Sequence, residues 1–115
     1  LAYVFEAKRL RTGGFPIGKY VGAGGMDDFI SCRYASGCPE AAMIGLYQNN
    51  DADYWRSELR RAFEADSKSI HPKLGTATQL KPVVVVPALT GELVSIHDRP
   101  NGFTLQLFHL FLDCR

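Results

Sequence analysis

The clearest element in this sequence is an amphipathic helix from Asp51 to about Lys68, whose single apolar stripe must find a surface to cover. Asn50 or Asp51 can cap it, because a short side-chain oxygen just before a helix accepts from an amide of the first turn. Trp55, Leu59, Ala62 and Phe63 form the stripe. Arg60 with Glu64, and Glu64 with Lys68, set opposite charges four residues apart. Tyr54 and Trp55 belong with this packing rather than with base stacking.

The runs around the helix read as strands. Glu40 to Tyr47 is a continuous apolar stretch, too short for a helix of its own and suited to a buried strand, after which Asn49-Asn50 turns the chain. Val83-Val84-Val85-Val86, between Pro82 and Pro87, predicts a short buried strand. Glu92 to Arg99 and Phe103 to Asp113 predict a closing hairpin around Pro100-Asn101-Gly102, with a turn of two residues or three and a register left open. Ser69 to Lys81, with Pro72 and Gly75, is a loop. Arg11 to Gly25 is glycine-rich and predicts a mobile connection, but it has neither the dinucleotide spacing nor a Gly-Lys-Ser/Thr phosphate loop. A helix is expected from Met26, with Asp27 and Asp28 in its first turn, ending before Gly37 and Pro39.

The first strand carries the chemistry. Leu1 to Phe5 is apolar and runs into Glu6-Ala7-Lys8. Residues two apart on a strand share a face and lie roughly 6.5–7 Å apart along it, so Glu6 and Lys8 project together. Ionic groups among buried strand residues need a partner or an ion, and a carboxylate beside an ammonium suits a divalent cation and a phosphate. Metal-assisted phosphodiester cleavage is the chemistry this suggests. A second acid-x-lysine string, Asp66-Ser67-Lys68, lies on the helix, where side chains two apart diverge.

Composition narrows the classes. The chain has 115 residues, 46% hydrophobic and 22% charged, which is one domain of ordinary globular character, neither disordered nor fibrous. The net charge of +1 argues against indiscriminate DNA coating, yet Lys8, Arg9, Arg11 and Lys19 face a single acid, Glu6, between Leu1 and Tyr20. Arg9, Arg11, Lys19 and Tyr20 are the candidate nucleic-acid contacts. Ser95, His97 and Arg99 share a strand face opposite Val94 and Ile96, making His97 and Arg99 candidate phosphate contacts. His109 alternates with Leu107 and Phe111 and reads as a hydrogen-bonded core residue, while His71 reads as surface. Cys32, Cys38 and Cys114 fit no paired metal or redox spacing. With no membrane span or signal peptide in sight, a cytoplasmic location is expected.

Phe5-Glu6-Ala7-Lys8-Arg9-Leu10, Gly18-Lys19-Tyr20-Val21, Gly24-Gly25-Met26 with Phe29-Ile30 and Tyr34-Ala35, and Met43-Ile44-Gly45-Leu46-Tyr47 together resemble the restriction-endonuclease-like, or PD-(D/E)XK, nuclease superfamily. An uncharacterised bacterial branch of it is the nearer likeness, and Ser95 to Arg99 and Leu107 to Asp113 are similar to that branch's C-terminal end. The resemblance implies an α/β domain with a mixed central β-sheet flanked by helices, the Glu6 strand central and the Met26 helix crossing over to the Ala41 strand. It implies a DNA endonuclease in which Glu6 ligates Mg²⁺ and Lys8 orients or activates water. The superfamily's other metal ligand, an Asp on a preceding strand, has no counterpart after Leu1. Residues 1–115 are therefore expected to be the C-terminal part of a larger, N-terminally truncated domain. The competing readings are that Asp98 or Glu92 substitutes, or that activity is lost. DNA is the implied partner, with RNA and a homodimer left open and no membrane. The alternative from another class is a non-catalytic nucleic-acid-binding or assembly module that retains the fold.

Overall fold

A computed structural model describes residues 4–31, 37–70, 72, 74, 80–84 and 91–115. The chain enters on β1 (Val4–Leu10), whose side chains alternate between the two faces. Val4, Glu6, Lys8 and Leu10 turn one way; Phe5, Ala7 and Arg9 turn the other, and Phe5 is 57% exposed. Arg11 to Phe15 then forms a tight turn closed by reciprocal backbone bonds, Arg11 N–H to Phe15 O at 2.9 Å and Phe15 N–H to Arg11 O at 2.8 Å. Two short helices follow, α1 (Ile17–Val21) and α2 (Met26–Ile30). The glycine-rich segment, expected to be a mobile connection, is thus an ordered turn, a helix and a second turn. Tyr20 explains it, because a fully buried phenol fixes a helix too short to be stable alone.

These helices carry the chain across to β2 (Glu40–Tyr47), which pairs with β1 in parallel, Glu6 opposite Met43 and Lys8 opposite Gly45. A parallel pair requires such a crossover. The α2 helix begins at Met26 as expected, while residues 32–36 of its expected course lie outside the described residues. Next comes α3 (Ala52–Ser67), capped by Asp51, whose carboxylate accepts from the Tyr54 amide at 2.8 Å. Trp55 and Leu59 are buried against the sheet, and the indole N–H donates to Asn49 O at 2.9 Å. The expected helix and strand therefore both stand, within a residue at each end.

The remaining strands are β3 (Lys81–Pro82), β4 (Leu93–Asp98) and β5 (Thr104–Asp113). The strand expected over Val83 to Val86 lies earlier: Lys81 and Pro82 pair with β4, Val84 is 74% exposed, and Val85 and Val86 fall outside the described residues. The hairpin between β4 and β5 uses a three-residue turn. Gly102 N–H donates to Arg99 O at 3.0 Å, Pro100 takes the position that suits its fixed φ, and Gly102 adopts φ +85°. Among the described residues the sheet is five-stranded and mixed, in the order β1-β2-β5-β4-β3. The Glu6 strand, expected to be central, is thus an edge strand there. No described helix is long and apolar enough to cross a membrane.

The described helices pack on one face of this sheet. Rows across it follow from the register: Val4, Ala41, Leu107 and Ser95; then Glu6, Met43, His109 and Leu93; then Lys8, Gly45 and Phe111. Gly45 is required by close approach, since a Cβ there would stand 2.7 Å from Leu10 Cδ1 and 2.9 Å from Phe111 Cδ1. Both neighbours are themselves packed, so neither yields cheaply. Gly45→Ala is expected to lower stability by about 1–3 kcal/mol in urea denaturation. Gly18→Ala, in α1 with open space around it, is expected instead to raise stability by about 0.5–1 kcal/mol.

Candidate functional site

Glu6 and Lys8 do share the helix-covered face, and their side chains pair across it with Nζ to Oε1 at 3.7 Å. The pair is loose. With Glu6 34% and Lys8 29% exposed, it lies neither in bulk water nor sealed in the core. Gly24, next to the ammonium, adopts φ +82°, a conformation that favours glycine.

Beside Lys8 is a cleft of about 450 Å³, lined by Lys8, Arg9, Gly14, Phe15, Lys19 and Leu46 among others. Arg9 reaches it from the opposite face of β1, its guanidinium carbon 4.2 Å from the centre of the Phe15 ring. A cation over an aromatic face is held by the ring quadrupole. Arg11 lies farther from that ring, at 5.3 Å, and its guanidinium packs against Gly14, where it braces the turn. Lys19 projects from α1 as an exposed side chain. Of the expected contacts, Arg9 and Lys19 meet Lys8 at one cleft, whereas Arg11 stands behind it. Phe15 was not anticipated; its only sequence signal is an aromatic ring set among basic residues.

Three expected contacts need correction. Tyr20, His97 and Arg99 are turned into the protein, with exposures of 0%, 0% and 5%. Arg99 donates from Nε to Phe29 O at 3.0 Å and from Nη1 to Cys38 O at 2.9 Å, so it clamps the end of α2 and the approach to β2 onto the hairpin. Ser95, His97 and Arg99 do share a face, as the alternation required. That face is the one the helices cover.

Tyr20 and His97 are the ends of a buried hydrogen-bonded chain. Tyr20 Oη meets His109 Nδ1 at 2.7 Å, His109 Nε2 meets Ser95 Oγ at 2.7 Å, and Ser95 Oγ meets His97 Nε2 at 2.7 Å. His97 Nδ1 closes the chain on Leu74 O. A carbonyl only accepts, so His97 donates from Nδ1 and, when neutral, accepts at Nε2. Ser95 must then donate to His97 and accept from His109 Nε2, which leaves His109 Nδ1 to accept the Tyr20 proton. The Leu74 carbonyl thereby fixes opposite tautomers in the two rings. Among the described residues, no buried side-chain nitrogen or oxygen lacks a hydrogen bond.

Burial keeps both imidazoles neutral. It pushes His109 down to about 3, with the neighbouring His97 adding to the effect. It also lowers His97, against the opposing pull of the Leu74 bond and of Asp66 and Asp98. Burial likewise raises Tyr20, which holds its proton. These histidines stand apart from the Glu6–Lys8 pair. Met43 lies between Glu6 and His109 in their row, and two strand spacings separate the positions by about 10 Å.

The donor set for a metal is limited. Glu92 and Asp98 flank and end β4, three strands from Glu6 and so at least about 14 Å away across the sheet, and neither completes a site with it. No group of three or more His, Cys, Asp or Glu side chains able to hold a metal occurs among the described residues. Glu6 alone still fits Mg²⁺ as one protein ligand, since this ion is commonly held by one or two carboxylates together with substrate phosphate and water. Cys38 and Cys114 carry free thiols; Cys32 and His71 lie outside the described residues. No family model, curated protein or solved structure matches this chain.

Acid destabilisation follows from the neutral histidines. Their folded-state pKa values are depressed, so the unfolded chain binds more protons once the pH drops below 6.5, the ordinary histidine value. Stability is expected to be full above that pH and to fall on acidification towards about 3, where His109 protonates in place. The limiting slope is about 1.4 kcal/mol per pH unit for each histidine. Urea denaturation across this range checks it, and His109→Phe should flatten the slope whatever its effect on stability at neutral pH.

Proposed function

We propose that this chain is a domain of restriction-endonuclease-like type that acts on DNA as a Mg²⁺-dependent phosphodiesterase. One observation carries the reading: a half-buried carboxylate and ammonium, 3.7 Å apart on one strand face, stand beside a cleft lined by further cations. The parallel β1–β2 unit with its helical crossover supports it, being the connection the superfamily resemblance implies.

Glu6 would hold the ion. Mg²⁺, when bound, polarises the scissile phosphate and offsets charge on the leaving oxygen. Lys8, whose ammonium has three donors, hydrogen-bonds a phosphate oxygen and orients the attacking water. Arg9 and Lys19 neutralise the backbone beyond it. A second reading is favoured by the single carboxylate at the site: a nucleic-acid-binding or assembly module that keeps the fold without the chemistry.

A Mg²⁺ titration followed by thermal melting, together with plasmid nicking, separates the two. Catalysis predicts that Mg²⁺ raises the melting temperature, that Glu6→Gln abolishes the rise, and that Lys8→Met keeps the rise but lowers nicking by about 10²-fold or more. Unchanged DNA affinity in Glu6→Gln, with no response to Mg²⁺ in either protein, would select the binding module.

A further inference from the structure

The cleft at the end of β1 places Lys8, Arg9 and Lys19 around one space of about 450 Å³, with no carboxylate in its lining among the described residues. Like charges gathered in this way repel, and Glu6 offsets only Lys8, through a loose pair at 3.7 Å. Arg9 is not loose in solvent. Its guanidinium is fixed over Phe15, and Phe15 is fixed by the two backbone bonds that close the Arg11–Phe15 turn. Ring contact occupies the face of a guanidinium and leaves its edge N–H groups free to donate, which is the geometry for an oxyanion.

We infer that this cleft is a binding site for one backbone phosphate of the DNA strand, next to the phosphate at Glu6 and Lys8. The assignment rests on the nuclease reading for the identity of the strand, but not for the anion. Lys8, whose ammonium stands 3.7 Å from Glu6 and which also lines the cleft, faces both positions. Arg9 and Lys19 face only the cleft. Arg11, braced against Gly14, does not enter it.

The test is binding of a short DNA duplex without metal, in EDTA, over a range of salt concentrations. The probe variants are Arg9→Gln with Lys19→Gln, both at exposed positions; the charge-matched control is Arg60→Gln with Lys68→Gln on the exposed side of α3. Thermal melting verifies that each protein folds. Loss of Arg9 and Lys19 is expected to weaken binding about tenfold or more and to reduce the slope of log K against log salt by about two. The control should stay within about twofold of the parent.

Equal losses in probe and control would overturn the site and leave only general attraction to positive charge. Unchanged affinity in the probe would overturn it outright. Glu6→Gln distinguishes the two levels of the proposal: it should bind the duplex in EDTA at least as tightly as the parent, because no metal contributes. If the probe loses binding while Mg²⁺-dependent nicking is absent from the parent, the phosphate site stands and the nuclease reading falls.

Discussion

The hydrogen-bonded chain from Tyr20 through His109, Ser95 and His97 to the Leu74 carbonyl holds the helical layer on the sheet. It begins on α1, crosses β5 and β4, and ends in the segment after α3, where the Leu74 amide also donates to Asp66 at 3.0 Å. Four side chains with no solvent access each carry hydrogen bonds worth little net, but each would cost about 1–3 kcal/mol if stranded. The arrangement is therefore cooperative in a particular sense. Removing one link exposes the desolvation cost of its neighbours, so the layer docks in one position or not well at all. Phe63 on α3 packs edge-on against both imidazoles, at 6.0 Å and 6.1 Å between ring centres, which shields the chain from the helix side.

Local and nonlocal information divide cleanly along this chain. The α3 helix and the β2 strand were visible because their signals lie within their own residues: a cap and stripe in one, an unbroken apolar run in the other. The α1 helix was not, because Ile17 to Val21 has no amphipathic pattern and is held by what Tyr20 meets in β5, 89 positions later. The edge position of β1 among the described residues was equally invisible, since strand order belongs to the sheet and not to any one strand.

The polar face of β4 shows a subtler limit. Alternation correctly grouped Ser95, His97 and Arg99, but which side of the sheet received them depended on pairing with β5. A two-residue turn at Asn101-Gly102 would set His97 opposite Gln106, a row turned away from the helices. The three-residue turn sets it opposite Leu105, which is fully buried. One residue of turn length thus moves the whole polar set between water and core. His97 and Arg99 looked like surface phosphate contacts because that choice was open, and the same choice makes them structural.

Glu6 and Lys8 were placed together by strand geometry alone, and their setting explains why such a pair is tolerated. They occupy the row ends at the described edge of the sheet, where water still reaches a third of each side chain, so neither bears the full cost of a buried ion. The interior of the same rows is given to Met43, Gly45, Phe111 and the neutral His109. What joins the two regions is α1: Tyr20 turns inward to His109, and Lys19, the residue before it, turns outward to the cleft. The buried chain fixes the helix and the helix presents the cation. Replacing Lys19 changes the charge of the cleft without touching the core, whereas replacing Tyr20 by Phe keeps the charge but releases the helix that positions it.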